Sequence, residues 1–272
     1  MPELPEVQTI INGLLPHIIG RSITDVDILW EKSIKRPSIR EFRDLLSGVK
    51  FEGLERRGKY LIFSLSNDYS LIIHLRMSGT LLLRKSDEAP DRYARVVFYL
   101  DNGNELRFCD VRKLGTIYLV QDQKSVIRDM GPEPLDKAFT AEVLKERLAG
   151  RTAPIKATLC DQKVVAGIGN MYADEILHKV GIHPLIKTSA LSGEVIKKMH
   201  EATIDILSSA IENKGATVSN YVDSSGKAGT AQDNFKVAHR YKKPCPVCGT
   251  EIERIKVRGR GTYFCPDCQP EG

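Results

Sequence analysis

The chain has 272 residues, 42% hydrophobic and 28% charged, a composition typical of a globular protein with one large domain or two smaller ones. It contains no run of about 18 apolar residues, and its acidic start is unlike a secretory signal, so we expect a cytoplasmic protein. The formal net charge is +5, yet residues 236–260 alone carry eight Lys or Arg against two Glu. That segment is either a solvated basic surface or a face that contacts phosphates.

Residues 1 to about 135 are predicted to consist of one leading helix followed by β-strands. The helix is indicated by EVQTIINGLL (6–15), in which apolar residues recur at helical spacing, and Pro16 is expected near its end. Five β-rich runs separated by polar turns follow: SITDVDILW, KYLIFSLS, SLIIHLRM, RVVFYLDNGNELRF and GTIYLV.

The segment GPEPL at 131–135 has a composition typical of a linker. It separates the strand-rich region from a following region that is predicted to be helical. The predicted helices are TAEVLKERLAG, IKATLCDQKVV, NMYADEILHKVG and EVIKKMHEATIDILSSAIENKG, with Gly150, Gly181 and Gly215 as their C-terminal stops. Residues 215–234 are polar and show little periodicity. A loop of about 20 residues is uncommon inside a domain and is usually functional or disordered.

The stretch Gly167-Ile168-Gly169-Asn170 precedes one predicted helix and superficially resembles a dinucleotide-binding loop. It lacks the third glycine of that loop, because Tyr172 stands at the position. Two interpretations remain open. Asn170 is either an ordinary helix cap or part of a helix N-terminus that faces a phosphate.

Four cysteines near the C-terminus have the spacing C-x2-C-x16-C-x2-C: Cys245, Cys248, Cys265 and Cys268. This spacing predicts one tetrahedral structural Zn²⁺, and the alternative of two disulfides is disfavoured in a reducing compartment. The residues between the two pairs predict a two-stranded hairpin with the Gly-rich turn VRGRG. Arg258 and Arg260 would lie at its tip, where glycine allows the backbone to approach a phosphate.

The first residues, MPELPEV, also allow two interpretations. If Met1 is removed, Pro2 carries a secondary amine whose reference pKa of about 7.7–8.0 leaves part of it neutral and nucleophilic near pH 7. Glu3 and Glu6 would then be nearby acids or bases, and Lys59 in RRGKYLIF a candidate cation. The alternative is a simple lead-in to the helix, since proline and acidic residues are common at helix starts.

Seven motifs, in order along essentially the whole chain, resemble those of the formamidopyrimidine-DNA glycosylase family: PELPEV, RRGKYL, HLRMSG, DVRKLG, GPEPL, VAGIGN and CPVCGTEIERIKVRGRGTYFCPDCQ. The resemblance implies a bifunctional DNA glycosylase and AP lyase of base excision repair. Such an enzyme excises oxidised purines, chiefly 8-oxoguanine and formamidopyrimidines, and then cleaves the strand by β,δ-elimination. The expected partner is double-stranded DNA with oxidised bases or abasic sites, bound by a monomer in the bacterial nucleoid.

The resemblance also implies roles for four catalytic residues. Pro2 is expected to be the Schiff-base nucleophile, and Glu3 the acid that assists sugar opening or base departure. Lys59 is expected to donate a proton in β-elimination. Arg260 is expected to grip a phosphate and to assist δ-elimination.

Three further sets are implied by the same resemblance. The expected DNA contacts are Tyr93, Arg112, Arg151, Lys156 and Asn170. The expected wedge that fills the space of a flipped base is Met77, Arg112 and Leu114. The expected lesion pocket is Thr217, Ser219, Asn220 and Tyr221. Two residues depart from the family pattern, because Leu114 stands where Phe is usual and Tyr93 where His is common.

Together these observations predict an α+β protein in three parts. An N-terminal catalytic β-sandwich domain with a leading helix spans 1–135, and a helical, helix-two-turn-helix DNA-binding domain with a lesion-capping loop spans 136–234. A zinc-finger hairpin spans 235–272. Two alternatives remain: an endonuclease VIII-like glycosylase for oxidised pyrimidines, which typically has Gly where Leu4 stands, and a non-catalytic zinc-ribbon DNA-binding protein.

Overall fold

The computed structural model describes residues 1–271, which divide into two units. The first unit comprises residues 1–128 and 214–230, and the second comprises residues 129–213 and the chain from Ala231 onward. Among the described residues, no helix combines the length and apolar character needed to cross a membrane.

The first unit contains three helices and nine strands. The helices are α1 (Leu4–Ile18), α2 (Ile39–Leu46) and α3 (Lys124–Ile127). The strands are β1 (Ile23–Ile28), β2 (Ile34–Arg36), β3 (Phe51–Arg57), β4 (Tyr60–Leu65), β5 (Ser70–His74), β6 (Gly79–Lys85), β7 (Ala94–Leu100), β8 (Asn104–Asp110) and β9 (Thr116–Val120).

These strands form two sheets that share one hydrophobic core. One sheet has the order β1-β7-β8-β6 and the other the order β2-β9-β5-β4-β3. Phe98 and Phe108 from the first sheet and Phe63 and Ile73 from the second belong to the same buried cluster. The apolar stripe of α1, including Leu14, completes this cluster, so the core fixes the helix that follows Pro2.

The second unit contains four helices and a β-hairpin. The helices are α4 (Ala141–Leu148), α5 (Ile155–Leu159), α6 (Asn170–Lys179) and α7 (Gly193–Glu212), and the hairpin strands are β10 (Glu253–Val257) and β11 (Arg260–Phe264). The hairpin turn has positive φ at both Arg258 (44°) and Gly259 (78°), the conformation of a tight two-residue hairpin turn. The predicted zinc-ribbon hairpin with its two arginines is therefore present.

The predicted mixed α+β fold, with N-terminal sheets, a helical region and a C-terminal cysteine cluster, is confirmed. One predicted helix is shorter than expected, because α5 ends at Leu159 and does not continue through residues 160–165. The Gln162 side chain holds the following turn instead: its amide nitrogen donates to the Ile168 carbonyl (2.8 Å) and its oxygen accepts from the Gly167 amide (2.9 Å).

The two units divide the chain differently from the three predicted domains. Residues 214–230, predicted as part of the helical domain, pack in the first unit. The physical reason is Tyr221, which is 7% exposed and contributes to the core of the two sheets and α1.

Candidate functional site

The start of the chain is held against the first unit by a buried carboxylate. Pro2 and Glu3 are both buried, whereas Met1 is half exposed. Glu6 is fully buried, and its Oε2 accepts a hydrogen bond of 2.7 Å from the Glu3 amide. Its Oε1 accepts one of 2.8 Å from Ala216 in the loop 214–230. One side chain therefore ties the residue after Pro2 to this loop.

The predicted proton donor Lys59 lies in the two-residue turn between β3 and β4, next to the Arg57–Tyr60 strand pair. It is only 4% exposed, which is unusual for a lysine outside a functional site or an ion pair. Tyr60 pairs with His74 across the sheet, and their rings meet edge to face at 4.5 Å. Burial, assisted by the charges of Arg76 and Lys59, lowers the pKa of His74 to about 3.

The predicted lesion-pocket residues do not share one environment. Thr217 is partly exposed, and its hydroxyl donates to the Tyr221 carbonyl (2.9 Å) and accepts from the Gly229 amide (2.9 Å). Ser219 and Asn220 are exposed. Tyr221 is buried, and its hydroxyl donates to the Lys214 carbonyl at 3.1 Å.

Tyr221 differs from the other three predicted pocket residues. Its ring belongs to the hydrophobic core of the first unit, where it anchors the loop. Burial is the main cause that raises the pKa of its hydroxyl, which stays protonated as a hydrogen-bond donor. Of the other three predicted pocket residues, Ser219 and Asn220 are exposed, whereas Thr217 is partly exposed and hydrogen-bonded within the loop.

The three predicted wedge residues lie on two adjacent segments of the first unit. Met77 and Leu114 are both about half exposed, at 47% and 45%, and the Arg112 guanidinium donates to the Met77 sulfur at 3.1 Å. Arg112 and Leu114 belong to residues 110–115, which we call the wedge turn. Exposed apolar tips on a fixed turn are what insertion into a base stack requires.

Two features of the wedge turn were missed from the sequence. Asp110, 1% exposed at the end of β8, accepts hydrogen bonds from the amides of Arg112, Leu114 and Gly115. The ammonium of Lys113 lies 4.1 Å from the ring centroid of Trp30. An acid at a strand end before a Gly-containing turn was the available signal.

Tyr93, the predicted DNA contact at a position where His is common, is 37% exposed. Arg92 and Arg95 lie over its ring, with guanidinium carbons 5.3 and 6.0 Å from the ring centroid. Its carbonyl accepts a hydrogen bond of 2.9 Å from the Asp110 amide, so the tyrosine backbone is fixed next to the wedge turn.

In the second unit, a cavity of about 590 Å³ has the predicted phosphate ligands Arg151 and Arg260 in its wall. Arg258 and Lys163 also line it, so the lining is strongly basic. Asn170 is the first residue of α6, and its side-chain nitrogen donates to the Gly261 carbonyl at 2.8 Å. The side-chain amide of Asn170 therefore holds strand β11, which carries Arg260, against the start of α6.

Lys156, also predicted to contact DNA, lines this cavity as well, and its ammonium has partners within the second unit. Its side chain is 1% exposed, its ammonium pairs with Asp174, and it donates to the Asn170 carbonyl at 2.7 Å. Burial raises the pKa of the Asp174 carboxyl to about 7, and the Lys156 charge opposes that shift. Lys156 therefore orients the start of α6 from within the unit.

The four predicted metal ligands, Cys245, Cys248, Cys265 and Cys268, come together with all their sulfur atoms within 4.8 Å of one another. No disulfide joins them. Two of the sulfur separations are 3.9 and 3.3 Å. Four Zn–S bonds of about 2.3 Å in a tetrahedron have S–S edges of about 3.8 Å. The four thiolates therefore fit one structural Zn²⁺ and leave no position for a substrate.

Helix α6 supports this zinc module through buried polar groups that sequence reasoning missed. Asp174 accepts the Tyr263 amide of the hairpin at 3.2 Å. Glu175 accepts three backbone N–H groups, from residues 236–238, at 2.8–2.9 Å. The His178 Nε2 lies 3.5 Å from the Cys245 sulfur. The signal was the adjacent acidic pair in NMYADEILHK, because acids on a buried helix need partners.

Comparison with known families gives three matches in chain order. Residues 1–117 match the formamidopyrimidine-DNA glycosylase N-terminal domain, residues 130–222 the H2TH domain of the same family, and residues 242–270 a zinc finger found in FPG and IleRS.

Full-length relatives and solved structures agree with these matches. The chain is 46% identical to formamidopyrimidine-DNA glycosylase of Chloroflexus aurantiacus and 44% identical to that of Desulforamulus reducens, covering 99% of this chain and at least 98% of each relative. It is similar to a Lactococcus lactis Fpg variant in complex with DNA containing Fapy-dG, with a TM-score of 0.93 and 35% identity. It is also similar to L. lactis Fpg with DNA containing an abasic site, with a TM-score of 0.91 and 34% identity. Both alignments cover 99% of this chain and 100% of the L. lactis chain.

Proposed function

The chain belongs to the formamidopyrimidine-DNA glycosylase family, and from this premise we propose that it is a bifunctional DNA glycosylase and AP lyase of base excision repair. The proposed substrates are oxidised purines in double-stranded DNA, and the second product is a strand cleaved by β,δ-elimination. The observation that carries the proposal is the similarity over 99% of the chain. It includes the N-terminal PELPEV and the zinc hairpin.

We assign the nucleophile to Pro2 in the form of the protein that lacks Met1. Once Met1 is removed, Pro2 carries a secondary amine whose reference pKa of about 7.7–8.0 leaves part of it neutral and nucleophilic near pH 7. Attack of this amine on C1′ of the damaged nucleotide would break the bond from C1′ to the base, which leaves with a proton. Cleavage of the C1′–O4′ bond, with a proton delivered to O4′, would then open the sugar and leave an iminium between C1′ and the proline nitrogen. That iminium is an electron sink, which acidifies the neighbouring C–H and permits elimination of the phosphate.

We assign proton transfer to Glu3 and Lys59, each nearly inaccessible to solvent in the first unit. Glu6 acts as a positioning residue in this scheme, because its carboxylate accepts hydrogen bonds from the backbone amides of both Glu3 and Ala216. Neutral His74 supports Lys59, since it adds no further positive charge beside the ammonium.

DNA binding is assigned to the basic groups of the two units, each taken separately. Arg151 and Arg260 would contact phosphates from the second unit, with Asn170 and Lys156 fixing the geometry. In the first unit, Met77, Arg112 and Leu114 would fill the duplex after the damaged base is flipped. A structural Zn²⁺ held by the four cysteines would fix the fold of the hairpin that carries Arg260.

The test is borohydride trapping on a duplex with a single 8-oxoguanine, followed by gel analysis and peptide mass measurement. Protein without Met1 should give an adduct on Pro2, whereas protein that retains Met1 should give none, because its Pro2 nitrogen is an amide. Pro5→Ala is the matched control, since Pro5 lies in the first turn of α1 and should not affect trapping. An adduct on Lys59, or no adduct from protein shown to lack Met1, would refute the assignment.

Two further measurements separate the alternatives. Preferential cleavage of a duplex with an oxidised thymine over one with 8-oxoguanine would favour the endonuclease VIII-like enzyme. Zinc removal by a chelator should abolish DNA binding, because the thiolate site and the hairpin fold are coupled. Normal affinity in zinc-free protein would contradict the proposed role of the hairpin.

A further inference from the structure

We propose that Asp110 is a positioning residue that holds the wedge turn in its insertion-ready shape, and that Lys113 on Trp30 clamps the same turn. This inference rests on the proposed function, because it assigns a task to the wedge residues of a glycosylase. It adds residues whose side chains need not touch DNA.

The Asp110 carboxylate receives four hydrogen bonds although it is 1% exposed. Its Oδ1 accepts from the Ser78 hydroxyl at 2.5 Å and from the Arg112 amide at 3.1 Å. Its Oδ2 accepts from the amides of Leu114 and Gly115, both at 2.7 Å. Because bonds to a charged acceptor are stronger than neutral ones, the backbone of residues 112–115 has little freedom.

The same carboxylate joins the two segments that carry the wedge. Ser78 directly follows Met77, and its hydroxyl bonds to Asp110 and also accepts from the Arg112 amide at 3.1 Å. The Arg112 guanidinium in turn contacts the Met77 sulfur. Asp110 ends β8, and its own amide bonds to the Tyr93 carbonyl, so the network is built on a rigid sheet.

Lys113 provides a second anchor from the same turn. It has a φ of 58°, a conformation that residues other than glycine adopt only when the surroundings hold them there. Its ammonium lies 4.1 Å from the Trp30 ring centroid, which is the geometry of a cation–π contact. Lys113 is itself exposed, as are its two neighbours in sequence, Arg112 and Leu114, but its ammonium lies on the Trp30 ring.

Wedge side chains that insert into DNA must displace stacked bases. If the turn that carries them changes conformation under this load, the side chains do not stay inserted. Removing a base from an intact duplex requires this insertion to be complete. Cleavage at a preformed abasic site requires less of it, because no base has to leave the stack. Loss of the Asp110 carboxylate should therefore slow base excision far more than abasic-site cleavage. A general loss of folding would instead slow both reactions equally.

The experiment compares Asp110→Asn with wild type in single-turnover assays on two duplexes, one with 8-oxoguanine and one with a preformed abasic site. The rates are corrected for the fraction of protein that borohydride can trap. Asp122→Asn is the matched control, because exposed Asp122 also caps a turn, through the Lys124 amide at 2.9 Å. Ser78→Ala is a milder variant that removes one of the four donors.

We expect Asp110→Asn to lower base excision by about 30-fold and abasic-site cleavage by less than about 3-fold. Ser78→Ala should lower excision by roughly 5-fold, and Asp122→Asn should leave both rates unchanged. Unchanged excision in both Asp110→Asn and Ser78→Ala, or equal losses in the two reactions, would overturn the positioning role.

Trp30 supplies a separate readout, because it is the single tryptophan of the chain. Lys113→Met removes the ammonium from its ring and should change the tryptophan emission of the free protein, whereas unchanged emission would refute the clamp. If wild-type protein acts on neither duplex, the proposed function fails, and this DNA-free measurement still decides the Lys113–Trp30 contact.

Discussion

Acidification from pH 7 to pH 5 should destabilise the first unit through His74, a buried neutral imidazole that pairs across the sheet with Tyr60, the residue after Lys59. His74 is 8% exposed, and its Nδ1 accepts the Arg76 amide at 2.9 Å. Burial is the main reason that its pKa falls to about 3, and the charges of Arg76 and Lys59 lower it further. An unfolded chain has no such environment, so its histidine titrates near pH 6.5.

The sign and size of the effect follow from proton linkage. Between pH 6.5 and about 3 the unfolded state binds the His74 proton and the folded state does not, so stability falls as pH falls. From pH 7 to pH 5 the imidazole of the unfolded chain goes from about one-quarter to nearly fully protonated, which costs the folded state about 2 kcal/mol. This contribution is complete above pH 7.

The assay combines direct titration with unfolding. The His74 ring resonances should not titrate between pH 7 and pH 5 in NMR spectra. In urea unfolding, wild type should lose about 2 kcal/mol more than His74→Asn over the same interval. Asparagine keeps an acceptor for the Arg76 amide but has no proton to bind.

His74→Asn also weakens the contact with the Tyr60 ring, and this loss of stability is the same at pH 7 and pH 5. It therefore cancels when the change in unfolding free energy between the two pH values is compared. Equal pH dependence in wild type and His74→Asn would refute the reasoning. A ring that titrates near pH 6 in the folded protein would refute it as well.

Three other predictions concern buried contacts. Gly215→Ala should lower the melting temperature more than Gly20→Ala does. Both glycines have positive φ, but only at position 215 would an added Cβ meet the Glu6 side chain, at 3.0 Å. Equal decreases in melting temperature would contradict this packing argument. Glu175→Ala should reduce the free energy of unfolding by about 3 kcal/mol or more in urea, because three backbone N–H groups lose their acceptor, whereas exposed Glu201→Ala should have little effect. His178→Phe should weaken zinc retention by about 10-fold in a colorimetric chelator assay, because the hydrogen bond to the Cys245 sulfur is lost; unchanged zinc release would exclude that bond.

Local signals in the sequence were sufficient for much of the fold. The apolar stripe of α1 reflects burial of one helix face, whereas the β-rich runs reflect strands such as β5 and β8 that are buried along nearly their whole length. Gly150 and Gly181, predicted as helix stops, have φ values of 70° and 68°. The cysteine spacing predicted the metal site because two short turns suffice to bring four thiolates together.

Partners distant in the sequence could not be predicted in this way. Glu6 bonds to Ala216, 210 residues away, and Asn170 to Gly261, 91 residues away, and no periodicity encodes such pairs. Lys156 illustrates the consequence: the sequence predicted a phosphate contact but gave no sign of the buried ion pair with Asp174.

The sequence by itself indicated the candidate chemistry: a proline that would carry an amine once Met1 is removed, carboxylates nearby, four zinc-binding thiolates and arginines in a Gly-rich turn. It also indicated many of the helices and strands, because those depend largely on neighbours within a few residues, although α2, β3 and β6 were not predicted and α5 ends earlier than predicted. Only the tertiary structure decided which polar side chains are buried as supports, as with Asp110, and which remain exposed, as with Leu114. The physical reason is that burial and hydrogen-bond satisfaction are properties of the packed chain, since they depend on segments brought together from anywhere in it.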